Sequence, residues 1–389
     1  MRRSSALPAV LALTLAVIWL LPREAGAIPA FARQVHQKCS FCHVAFPKLN
    51  EFGLTFKANG YRLPGTQGLD VWDIPALPVS IVTQIDGIWD SNRGAKDDLT
   101  IEQPELSLLW GTNFGPHISS FGEIVVGRDG EGADLGPVFI QFDDLAGKEG
   151  QLNLKVGVYD MDFGFLAAAR HVLFEDYTAE DLGFFPTAIG IELNGQILPG
   201  EYNEGGLTVR YYAGGTLDRT DDIAADSQSD ISNSGYATVA LTYQGQKLAL
   251  HYQHQNGDSA DDDRWAIATE LTAMDAYLNL AYFAVSRQND DPAVNGGDDL
   301  KGHDWMAELV VPVRDYVFGL RYDLLDNKGF PYLGEDVPDA GDMVKLTAHA
   351  SWYVRPNVQV GVEFGRKDFK NTPDATDSTT GRLIARFGF

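Results

Sequence analysis

The chain has 389 residues, with 30 Lys and Arg against 54 Asp and Glu, and a formal net charge of −24. That balance repels phosphate backbones and excludes nucleic acid as a partner, while it suits cationic partners and solubility. The length allows two or three ordinary domains or one long β-barrel, and 40 glycines with an aromatic content of 11% lean toward β structure.

Residues 1–27 read as a secretory leader. Met1-Arg2-Arg3 is a basic start, Ala6 to Leu21 an apolar run, and Ala25-Gly26-Ala27 a cleavage site. A retained anchor is the alternative, but the run is short and stops at Pro22-Arg23. No later stretch is apolar enough for a membrane helix.

Residues 28–78 form a small segment and its connector. The only two cysteines of the chain lie here, in the run Cys39-Ser40-Phe41-Cys42-His43. In an exported protein this C-x-x-C-H spacing predicts covalent attachment of one haem c. One turn puts both thiols on one face, where they can add to the two vinyl groups of a porphyrin. The following histidine then lies under the ring as proximal iron ligand. A disulfide or a thioredoxin-like pair is the alternative; that pair normally accompanies a βαβ pattern and needs no histidine after it. The spacing also predicts a helix starting at Pro47 and stopping at Asn59-Gly60, with Leu49, Phe52 and Phe56 on one face against the haem. A segment this short cannot bury an independent core, so it needs a cofactor or a larger body. Arg62 to Pro78 is the connector.

From Val79 to Phe389 apolar and polar residues alternate with period two, as in Leu248, Leu250, Tyr252 and in Val358, Val360, Val362, Phe364. Tight turns at 244–247, 272–275, 312–315 and 353–357 separate long polar loops around 254–264, 286–303, 324–342 and 366–380. Short turns on one side and long loops on the other predict a transmembrane antiparallel β-barrel of about sixteen strands in an outer membrane, its outer face toward lipid. The turns would be periplasmic and the loops extracellular. Trp89, Trp110, Trp265, Trp305 and Trp352 fall near strand ends, as an aromatic girdle requires. The end of the chain, Thr380 to Phe389, places Leu383, Ala385, Phe387 and Phe389 on one face, and resembles the assembly signal of bacterial outer-membrane barrels. A soluble two-sheet protein shares the alternation but not the loop asymmetry.

The inward rows carry Lys155, Arg210, Arg321, Lys345, Arg382 and Arg386 beside Glu105, Glu123, Glu270, Glu308 and Glu363, which predicts a wet, charged interior. Acidic runs (Asp97-Asp98, Asp221-Asp222, Asp261-Asp262-Asp263, Asp290-Asp291, Asp298-Asp299) are placed in loops. They read either as solvated faces or as a rim that concentrates a hard divalent cation. The sixth haem ligand is open among His36, one turn before Cys39, His171 and Met161 in loop 160–187, and none. A loop of that kind can fold into a porin lumen.

The run Pro29 to Gln34, the C-x-x-C-H motif, Ala45-Phe46-Pro47, and Phe52-Gly53 through Asn59-Gly60-Tyr61 resemble the fused monohaem cytochrome c–porins of iron-oxidising bacteria, over about the first fifth of the chain. The resemblance implies a small α-helical haem segment joined to a sixteen-stranded porin. It implies electrons taken from extracellular Fe(II), or another reduced donor, and passed to a periplasmic c-type cytochrome, an Fe(II)-oxidising activity. Carry-over of residues is limited to Cys39, Cys42 and His43. The competing functions are a diffusion porin with an accessory haem segment and a structural barrel with a plain disulfide.

Overall fold

Strand pairing leaves no free edge. The computed structural model describes residues 30–35, 37–66, 78–91, 100–101, 104–127, 133–168, 171–198, 206–217, 233–256, 261–288, 299–328, 342–370 and 377–388. Among them, sixteen antiparallel strands close into a barrel. In chain order they are Val79–Asp90, a strand in two pieces (Thr100–Ile101 and Glu105–Asn113), Ile118–Val126, Ala133–Phe142, Asn153–Asp160, Thr187–Ile197, Thr208–Leu217 and Asn233–Tyr243. Gln246–Asn256, Asp261–Ala273, Ala276–Arg287, Leu300–Val313, Tyr316–Lys328, Asp342–Arg355, Val358–Lys370 and Ser378–Gly388 complete the wall. The last strand pairs with the first, from Thr380 opposite Asp90 to Gly388 opposite Val82. Closure of this kind satisfies every backbone group laterally, the condition for a sheet to stand in hydrocarbon. The two-sheet alternative is thereby excluded. The leader 1–27, His36, Phe389 and the acidic pairs at 97–98, 221–222 and 290–291 lie outside the described residues.

Side chains alternate as the sequence predicts, but with the polarity of a membrane barrel. On Gln246–Asn256 the outward Leu250 is 52% exposed, while the inward Gln253 is 1% exposed. Trp265, Tyr282 and Trp305 form an outer aromatic band near the long-loop ends, with ring centroids 5.1 and 4.3 Å apart. Tyr316 stacks on Trp352 near the opposite ends. The predicted turns shrink to two residues, Gln244-Gly245 and Met274-Asp275, and both have positive φ (50° and 80°, 49° and 64°). That is the turn whose twist matches two paired strands. Strands extend further into the predicted loops than the alternation suggests. Asp261-Asp262-Asp263 opens a strand, and Asp262 is buried between Arg264 (2.9 Å) and Arg287 (2.6 Å). This run is therefore part of the wall and not a free rim.

The interior carries the predicted charge, but it is packed rather than wet. Arg210, Arg321, Lys155, Glu192, Glu270 and Glu308 are all buried, whereas Glu105 and Glu123 are half-buried. The filling comes from residues 30–66 and from the loop 161–186. The loop sets Phe163, Phe165, Leu166, Phe184 and Phe185 against Ala240, Ala249, Ala266, Ala268 and Phe283 of the wall. Small wall residues leave room for large loop residues, as close packing demands.

Arg321 tests this account. Its guanidinium lies 3.3 Å from Asp323 and 3.9 Å from Glu308, all three fully buried. Arg321→Ala strands two carboxylates, so it should cost about 3–5 kcal/mol, against under about 1 kcal/mol for outward-facing Leu320→Ala. Loss of heat-modifiable mobility on gels at a lower temperature for the first variant alone is the expected result.

Candidate functional site

The cysteine run folds as one tight turn. Cys39–Phe41 is a short 3-10 helix closed by Phe41 N donating to Lys38 O (2.9 Å) and Cys42 N to Cys39 O (3.1 Å). His43–Ala45 and Lys48–Leu49 follow as a small hairpin, then helix α2 at Glu51–Ala58, after a first helix α1 at Ala30–Val35. Asn50 joins turn to helix. Its side chain accepts from Gly53 N (2.9 Å) as the helix cap and donates to Phe41 O (3.0 Å), while its own N donates to Cys42 O (2.9 Å). The helix therefore starts at Asn50 rather than Pro47, because an asparagine cap satisfies orphan N–H groups and the proline belongs to the hairpin. It stops at Asn59-Gly60 as predicted. Gly53 has no substitute: a Cβ there would sit 2.2 Å from Cys42 O.

Both thiols are free and half-buried. Burial, then the neighbouring Cys39 thiol, pushes Cys42 up to about 11. Nδ1 of His43 donates to Pro47 O at 3.1 Å, so Nε2 carries the lone pair. Burial lowers the ring pKa to about 4, which keeps it neutral and a ready iron ligand. Two unpaired thiols on one turn and a neutral imidazole with its second nitrogen fixed from behind fit a c-type haem.

The segment is tied to the wall and to two of the connections between its strands. Glu51 pairs with Arg210, Lys48 with Glu270 (2.7 Å), Lys57 with Asp162 (2.5 Å) and Arg62 with Asp144 (2.7 Å). Tyr353 donates to Phe46 O (3.0 Å), and Gln34 to Gly111 O (3.0 Å). The wall partners lie on inward faces, so the segment is held in the lumen. Tyr353 stands beside the turn Pro356-Asn357, and Asp144 lies in the connection 143–152 at the same end of the barrel, which sets the segment at that end. None of these pairings, some spanning more than a hundred residues, has a local signature in the sequence.

The predicted apolar face is divided. Leu49 precedes the helix and packs against the cluster that loop 161–186 and the wall build, whereas Phe52 and Phe56 share a helix face, stacked 6.4 Å apart, Phe52 4.1 Å from Phe41 and Phe56 edge-on to Phe31 at 5.5 Å. The three do not share one partner. Of the sixth-ligand candidates, Met161 is buried among Phe139, Tyr159, Tyr212 and Tyr236. His171 is buried against Tyr177, with its Nδ1 on Leu173 O and Nε2 3.9 Å from Asp176. Burial, then Arg321, lowers its pKa to about 3. Glu180, on the short helix α3 (Thr178–Asp181), lies close by, its pKa raised to about 7 by burial and then by Asp176. The sequence singles out His171 alone, since contacts made by a folded loop have no periodic signal.

No family model and no curated protein matches the sequence. Solved structures do. OmpT of Vibrio cholerae, in its trimer form, aligns at TM-score 0.55 and 10% identity, over 80% of this chain and 99% of its own. OmpF of Salmonella typhi, in complex with daunomycin, aligns at 0.56 and 12% identity, over 80% of this chain and 97% of its own. The shared feature is the fold, a porin-type outer-membrane barrel.

With lumen and segment packed together, single-channel conductance in planar bilayers should be low for the intact chain. It should rise several-fold when residues 30–66 are deleted, because a barrel of about sixteen strands otherwise leaves an aqueous channel.

Proposed function

We propose that this chain is an outer-membrane electron conduit that takes single electrons from an extracellular donor, Fe(II) by the resemblance, and delivers them to a periplasmic c-type cytochrome. The observation that carries the reading is a C-x-x-C-H turn clamped into a lumen that is packed shut. Haem c, bound there, supplies a one-electron carrier. Cys39 and Cys42 would hold it through thioethers, and His43 Nε2 would bind its iron. Asn50 and Gly53 hold the turn against helix α2, so the imidazole keeps its direction. Lys48 and Glu51 fix the segment to the wall, and Lys57 and Arg62 to connections between its strands, so that the carrier does not hang free in the periplasm. A free domain would leave the roughly 30 Å hydrocarbon core between it and an outer-face donor. With the leader directing export and the short turns periplasmic, the segment sits at the side from which a soluble cytochrome approaches.

The likeness to porins favours a second reading, a diffusion porin with an accessory haem segment. The packed lumen opposes it, since solute flow needs open water along the axis. The ring of acidic loops as an Fe(II) rim loses one member, because Asp262 is already neutralised by two arginines.

Protein denatured in acid acetone should keep its pigment, and Cys39→Ala with Cys42→Ala should lose it; pigment that washes out of the intact chain ends the haem assignment. Fe(II) added to oxidised protein should produce the absorption bands of reduced haem. Unchanged bands, together with porin-like conductance, would favour the diffusion reading instead.

A further inference from the structure

The loop between Asp160 and Thr187 brings together a set of side chains that the conduit reading does not use. A ring nitrogen of His171 and carboxylate oxygens of Asp176 and Glu180 lie within 4.8 Å of one another. His171 is 8% exposed. Its Nδ1 meets Leu173 O at 2.5 Å, and a carbonyl only accepts, so Nδ1 bears the proton and Nε2 presents a bare lone pair. Nε2 lies 3.9 Å from Asp176 Oδ1, beyond hydrogen-bond distance. An imidazole lone pair and a carboxylate oxygen this close gain only when a cation comes between them. The Asp176 side chain is 79% exposed, so a hydrated ion can reach it. Glu180 commits one oxygen, accepting from Tyr177 N at 3.1 Å, and keeps the other. The charge of Arg321 nearby is matched by Asp323 and Glu308.

We propose that His171, Asp176 and Glu180 bind one first-row divalent metal ion and, resting on the conduit reading, form the lumenal station that holds Fe(II) before it gives up its electron. One imidazole nitrogen and two carboxylate oxygens form a borderline donor set, suited to Fe(II), Mn(II) or Zn(II) rather than to soft Cu(I). Ligand atoms around such an ion stand about 3 Å apart, so loading draws the set inward by about 1–2 Å. The exposed Asp176 side chain is free to make most of that movement. This use of His171 excludes it as the sixth haem ligand.

The test is Mn(II) uptake by the full chain in detergent, read from the resonance of the free ion, at an ionic strength that screens the acidic surface. The wild-type chain should take up one ion that Zn(II) displaces. Asp176→Asn, Glu180→Gln and His171→Ala should each weaken uptake at least tenfold, with heat-modifiable mobility unchanged and the haem absorption of His171→Ala unaltered. Equal uptake by all variants, or none by the wild type, overturns the site, and so does a haem spectrum altered by His171→Ala while Mn(II) uptake persists. Mn(II) uptake is read without electron transfer, so the two readings fail separately. A chain that binds Mn(II) at this site yet is not reduced by Fe(II) removes the donor and leaves the site. Haem reduction by Fe(II) with the same concentration dependence in every variant removes the station and leaves the conduit.

Discussion

Charge buried inside a closed wall is the constraint on which the rest depends. A barrel of this size normally lines its lumen with polar groups that water solvates. Here Lys155, Glu192, Arg210, Glu270, Glu308 and Arg321 are out of water, and each ion so placed is costly unless a partner is fixed beside it. Part of that partnering comes from outside the wall. Glu270 accepts both Lys247 of the barrel and Lys48 of the N-terminal segment, and Arg210 meets Glu51 and Thr55. Wall and segment therefore complete each other's charge, and neither set of residues is sensible alone.

The same constraint explains what the loop 161–186 does. Its carbonyls at Asp162, Leu182 and Glu175 accept from Thr238, Arg264 and Arg321 of the wall. Its own amides at Phe174 and Glu175 donate to Glu363. An irregular backbone survives at this depth because wall side chains satisfy it, the condition under which non-helical chain is tolerated inside a membrane protein. Apolar contact then does the filling, through aromatic loop residues over wall alanines.

Much of the architecture was legible because it is periodic. Alternation at Leu248, Leu250 and Tyr252 gave the lipid face, and the tight turns gave strand order. The tight turn at Cys39–Cys42 was legible in the spacing of the two cysteines. What escaped was of two kinds. Leu49, Phe52 and Phe56 have helical spacing, yet Asn50 starts the helix one residue after Leu49, so that only Phe52 and Phe56 share a helix face. The acidic run at 261–263 has the composition of a loop, but Arg264 and Arg287 draw it into the sheet. In both cases a short-range hydrogen bond or ion pair decided what periodicity and composition had suggested otherwise.

The pairing of first and last strands bears on how the molecule is made. The wall closes only when Ser378–Gly388 meets Val79–Asp90, the final event in chain order. The segment reaches partners from Gly111 and Arg210 to Tyr353, well around the circumference. An empty barrel would have to seal with Glu270 and Arg210 lacking their partners from the segment, so docking is favoured while the sheet is still open. Cys39 and Cys42 are more accessible before that docking than after it. Assembly thus has a natural sequence, in which the segment docks first and serves as a mandrel, and the wall is zipped around it.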